Sequence, residues 1–325
     1  MSPIFLAAAF QADAAGGLDF GLAIVAAGLA FAAAIALPIG ALFGIWLRPA
    51  QKWTATIMAF GAGALIEALA LELAFHGAES LIVHHRMDAI TAWLYVAFGF
   101  LLGGGLFLLG NRMLEDHGGH LRKPSLVRAY IARNRSHLQD VLHRLHIDHL
   151  PRLHINGIHH LRQAEHVAVA QEGQRKHGGA PFAIFLGALL DGVPESIVIG
   201  ASVTAVSLAT YNPSFVVAVF LNNFPEAMSS AVGMVRGGFS PVRVMVLWGG
   251  LMAGCTVVGA LGYLLMSGAS PEAATFVNAV AGGGILAMLA ATMMPEAFEE
   301  GGPMVGIATI LGFLSAFLFT ANGLA

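Results

Sequence analysis

Long apolar runs dominate this chain, with polar residues gathered between them. The runs lie near Phe20–Leu47, Trp53–Phe75, Ile90–Gly110, Pro181–Leu208, Ser214–Val235, Val242–Met266, Ala274–Pro295 and Met304–Leu324. Each is about as long as the roughly 20 residues that a helix needs to cross a bilayer. None alternates with period two, and all exceed the 9–11 residues of a barrel strand. The pattern predicts an all-α polytopic membrane protein with eight transmembrane helices. Composition agrees. The chain is 57% hydrophobic and 11% charged, whereas soluble domains carry about 25% charged residues. Its 325 residues would suit two soluble domains, but here they suit one membrane domain. Residues 1–112 hold spans 1–3, residues 113–180 a polar loop, and residues 181–325 spans 4–8. The opening segment MSPIFLAAAF has no basic residue. A secretory signal needs one, so the segment reads as a short terminal arm.

Charge sets the direction. Of 16 Lys and Arg residues, Arg48 and Lys52 separate spans 1 and 2, and the run from Arg112 to Lys176 separates spans 3 and 4. Arg236 and Arg243 separate spans 5 and 6, and only Arg86 falls on the other side. The positive-inside rule makes those three loops cytoplasmic. Both termini are then outside a cell (inner) membrane. The near-neutral net charge points to no nucleic-acid partner.

The loop 113–180 contains most of the histidines, among them His143, His146 and His149 at steps of three. These share roughly one helical face. Imidazole is a good transition-metal ligand, so a weak cytosolic metal contact is one reading. A basic surface-lying helix near anionic lipid is the other.

The most informative residues are polar ones inside spans. A charge at bilayer depth costs about 2.5–3.5 kcal/mol on insertion scales, and such residues usually face a pathway or a partner. Span 4 carries DGVPES (Asp191–Ser196) and span 5 carries NNFPEA (Asn222–Ala227). Asp191 and Glu195 are four apart and share a face. Asn222 and Asn223 stand four and three residues before Glu226 and converge on it. Pro194 and Pro225 each free one backbone carbonyl. Span 2 adds Glu67, with Glu72 further on. Glu296, Glu299 and Glu300 close span 7. A solvated helix end is the ordinary reading there, and an exit relay the functional one. Asn278 reads as a packing or interfacial amide. The lone Cys255 excludes an intramolecular disulfide and a Cys-based metal site.

These residues resemble the ZIP (Zrt/Irt-like) divalent-metal transporters, as a divergent bacterial-type member. The likeness runs from span 1 to span 8 and is most specific at the paired Pro-Glu motifs. The family's span 4 motif is His-Asn-x-Pro-Glu-Gly. Asp191 stands at its His, Gly192 at its Asn and Ser196 at its last Gly, while Pro194 and Glu195 match. Asn222, Asn223 and Glu226 fill the span 5 positions. Ala253 stands where some relatives have a span 6 glutamate, and Glu67 lies near a relative's methionine. The resemblance implies a 3+2+3 inverted-repeat bundle. It also implies a binuclear metal site formed by Asp191, Glu195, Asn222, Asn223 and Glu226, with Glu67 assisting.

The expected function is transport of divalent cations (zinc, iron or manganese class) toward the cytoplasm. The ion is substrate, and no catalytic cofactor is implied. Oxygen donors suit manganese, magnesium or calcium, and they also bind zinc and iron(II). The alternatives are a proton- or monovalent-cation-coupled carrier and a metal-binding receptor without flux. No span carries His-Glu-x-x-His, so an intramembrane metalloprotease is not expected. Small-residue stripes such as GGLMAG fit contacts within one chain or in a homodimer.

Overall fold

The computed structural model describes residues 19–47, 49–83, 86–115, 180–205, 211–236 and 238–323. The segment 116–179, including His143, His146 and His149, lies outside the described residues. The described residues form long helices and no strand. In chain order they are α1 (Phe20–Leu47), α2 (Lys52–Val83) and α3 (Ala89–Glu115), then α4 (Ala180–Ala205) and α5 (Ser214–Arg236). α6 (Pro241–Met266), α7 (Pro271–Gly301) and α8 (Met304–Gly323) complete the set. Seven of them, all but α4, are long and apolar enough to cross a membrane. The protein is built as a multi-pass membrane protein.

Side-chain size sorts inside from outside. The enclosed faces are largely small, as at Ala26, Ala59, Ala62, Ala68 and Ala231. Large apolar side chains point outward, including Phe98 and Leu101 on α3, Val246 and Leu265 on α6, and Leu311 and Leu318 on α8. A soluble monomer rarely exposes so broad an apolar surface. Exposed Trp46 and Trp53 sit at one end of the bundle, with Trp93 at the other. Tryptophan is enriched at both membrane–water interfaces.

Local chemistry explains the helix ends. Asp19 Oδ1 accepts from the Gly21 N–H at 2.7 Å and the Leu22 N–H at 3.3 Å, capping α1. Ser240 and Ser270 cap α6 and α7 just before Pro241 and Pro271. Proline at the first helical position gives up an N–H that would be unpaired anyway. At α3, the Thr91 hydroxyl and N–H both donate to Asp88 and hold its carboxyl below the usual range. We expect Asp19→Ala to cost about 1 kcal/mol, read as a lower thermal midpoint of the detergent-solubilised protein.

Two helices run past the ends that hydropathy predicts. α2 reaches Val83 rather than Phe75, and α7 reaches Gly301 rather than Pro295. Each contains a π-helical stretch, Leu69–Phe75 in α2 and Leu289–Met293 in α7. The polar residues beyond Phe75 look like a helix end but continue the turn. Pro295 does not stop α7, because the preceding π turn has already shifted the hydrogen-bond ladder.

Glycine contacts show how the helices pair. α1 lies on α5, where Gly40 abuts the Phe224 carbonyl and Gly44 that of Met228. α4 lies on α6, where Gly200 meets Gly259 and Gly262 meets Ile197. α2 runs parallel to α8, with Phe60 beside Gly312 and Glu67 beside Thr320. α3 runs parallel to α7. There Gly103 abuts the Val280 carbonyl and Gly283 that of Phe100. In α8 and α2, Gly312 abuts Phe60 and Gly63 abuts Thr309. On every one of these four helices the two contact points are three residues apart. The π-helical stretches begin six residues after Gly63 and six after Gly283.

Candidate metal centre

α4 and α5 bring five of the predicted residues into the interior. Glu195 is 2% exposed and Asn222 is fully enclosed, with Asp191, Asn223 and Glu226 also buried. The direct link between the helices is Asn222 Nδ2 donating to Glu195 Oε1 at 3.4 Å. Asn222 Oδ1 is buried and accepts no hydrogen bond. An acceptor left over beside a carboxylate is a pairing that a cation can satisfy.

Both prolines lie inside their helices. The carbonyl freed by Pro225 belongs to Leu221. Gly61 of α2 covers it, and a Cβ there would stand 2.6 Å from the oxygen. This carbonyl is therefore a packing surface rather than a ligand. The Ser196 hydroxyl donates back to the Gly192 carbonyl at 2.8 Å.

Cys255 is buried beside the central acids. It cannot form a cysteine cluster, but its Sγ lies 2.8 Å from where a Cβ on Gly192 would stand. It sits against the Ser196 hydroxyl, within electrostatic reach of Glu195 and Glu226. The thiol of α6 thus occupies the space left by the missing side chain at Gly192.

Glu67 is fully buried, but on the face of α2 that meets α8. It lies one turn beyond Gly63, which abuts Thr309, and its neighbours are Thr320 and Glu72. Neither its oxygens nor the Thr320 hydroxyl reaches hydrogen-bond geometry. Glu296 is 3% exposed instead of solvated, whereas Glu299 is exposed and Glu300 half-buried. Among the described residues, no three His, Cys, Asp or Glu side chains are gathered closely enough to hold a metal ion.

α5 joins these separate acids. Ser214 Oγ donates to Glu72 Oε1 of α2 at 2.9 Å. Asn222 contacts Glu195 of α4, and Ser229 Oγ donates to Glu296 Oε1 of α7 at 3.3 Å. At 100° per residue, positions 214, 222, 226 and 229 fall within an arc of about 120°. At 1.5 Å per residue the stripe is roughly 22 Å long. Neither serine was singled out by the sequence, although the 214, 222, 229 spacing is the signal that would have found them. The donors are carboxylate, amide and hydroxyl oxygens with one thiol at the border, a set suited to divalent cations. The sequence matches no protein-family model and no curated protein, so the reading of this centre rests on its own chemistry.

Proposed function

We propose that this chain is a ZIP-like transporter of divalent metal cations (zinc, iron or manganese class). One observation carries the proposal: a single face of α5 holds a carboxylate from each of three other helices at three depths. A structural helix would have no reason to collect acids along its length, given what each costs in hydrocarbon. The ion would shed water at Asp191, Glu195, Asn222, Asn223 and Glu226 in the middle of the stripe. Glu296 would receive it at the end that carries Lys52, Arg112 and Arg243. The positive-inside rule makes that end cytoplasmic.

The packing supports an eight-helix, 3+2+3 inverted repeat. α1–α3 would match α6–α8, with α4 matching α5. The α3–α7 contacts recur as α8–α2 contacts with the same three-residue spacing, and the π turns follow at the same distance. The partners α1–α5 and α6–α4 exchange in the same way. Such repeats place the substrate site between halves that rock against each other. Rocking would also draw together ligands that stand apart here.

Reconstitution tests this. Proteoliposomes containing the protein should take up Mn²⁺ or Zn²⁺ saturably, while empty liposomes do not. Uptake of protons or K⁺ that ignores divalent ions would replace the proposal with a monovalent carrier. Metal binding without flux would replace it with a receptor.

A further inference from the structure

At the Asp88 end of the bundle lies a cavity of about 500 Å³, lined by Glu72, His76, Ser80, Tyr211, Asn212 and Asn278 among others. We propose that it is a second cation site, which holds a partly hydrated divalent ion before it reaches the central acids. Three acceptors support this.

Glu72 is the first. Ser214 Oγ and Asn212 Nδ2 donate to its Oε1 at 2.9 and 3.4 Å. Asn212 is itself held, because its Oδ1 accepts the Ser214 N–H at 3.0 Å. Both bonds fall on one oxygen, Oε1, and the Glu72 side chain lines the cavity. His76 is the second. Its Nδ1 is 3.0 Å from Glu79 Oε2. With the proton on Nδ1, Nε2 presents its lone pair. A carboxylate behind an imidazole is the usual way a ligating histidine is oriented. Asn278 is the third, with Oδ1 buried and without a hydrogen-bond partner.

Carboxylate, amide and imidazole acceptors gathered on one cavity wall are the donor set that a hydrated divalent cation takes. An anion would be repelled, and an apolar ligand would leave them unpaired. Water takes about 30 Å³, so the volume admits an ion with much of its shell. Of the cavity's hydroxyls, Tyr211 is tied to Ser202 at 3.2 Å, and burial pushes its phenol above the ordinary value. It stays neutral and adds no competing charge.

This site rests on the transport reading for its purpose but not for its detection. Tb³⁺ is a hard-cation probe whose luminescence is excited by a tyrosine within a few ångströms, and Tyr211 lines the cavity. The protein would carry Glu195→Gln and Glu226→Gln to silence the central site. Saturable luminescence is expected, displaced by Mn²⁺ and removed by Tyr211→Phe. Glu72→Gln should weaken Tb³⁺ binding at least about tenfold, as losing even an outer partner of a metal ligand does. Asn278→Leu leaves the Glu72 cradle intact and should weaken binding too. No tyrosine-dependent signal, or a signal indifferent to both variants in folded protein, would overturn the site. A persistent signal without flux in the unmodified protein would sink the transport reading alone. Flux without the signal would sink this one alone.

Discussion

Glu195→Gln is expected to reduce divalent-cation uptake more than about 100-fold while leaving the protein folded and monodisperse. Glutamine keeps the shape and volume of the side chain, so packing against α6 is undisturbed. What it removes is the charge. Glu195 is 2% exposed, and Asn222 Nδ2 donates to its Oε1 at 3.4 Å. Removing one partner of a buried charge pair costs about 3–5 kcal/mol, and each 1.4 kcal/mol is tenfold. Where the carboxylate binds the transported ion, that loss falls on the ion's binding. Glu226→Gln should behave alike. Thr309→Val is the control: its hydroxyl only donates to Val305 of its own helix at 2.9 Å, away from the α5 stripe. Uptake above half of normal in Glu195→Gln would mean that the central acid is not a ligand.

What the sequence disclosed follows from the range of each signal. Membrane spans are local and long, so α1 was bounded to the residue and the others nearly so. The ends of α2 and α7 were misjudged because His76 and Glu296 look like solvent-facing residues. In the fold His76 borders a cavity and Glu296 is buried against Ser229. The burial of Asp191, Glu195, Asn222, Asn223 and Glu226 was legible because helical spacing within one span is enough to put them on shared faces. Glu67 was assigned to the same centre because its depth is visible in sequence. Its azimuth is not, since that depends on α8 packing against Gly63. Cys255 and the serines of α5 act across helices far apart in the chain. Their roles emerge only when α6 lies on α4 and α2 lies on α5. The same is true of the repeat, which is written in glycine contacts and hardly in residue identity.

Gly103→Val and Gly312→Val should each destabilise the bundle by about 3 kcal/mol or more, and by similar amounts. Overpacking costs about 1–3 kcal/mol where side chains can yield. Here the obstacle is backbone. A Cβ on Gly103 would run into the Val280 carbonyl, and one on Gly312 into that of Phe60. Carbonyls held in a helix cannot rotate away, so the helices must separate. Within a bilayer, close packing is the main force holding them together, and separation along α3–α7 or α8–α2 forfeits it. The controls lie on the same helices: Gly105 and Gly306 are exposed, and a Cβ on either meets nothing within 4 Å. Valine there changes helix propensity alone. Thermal midpoints in detergent and the monodisperse fraction would read all four variants. A loss confined to one of Gly103 and Gly312 would break the equivalence of the two halves. A matching loss at Gly105 and Gly306 would show that glycine serves a local purpose and that the shared contacts are incidental.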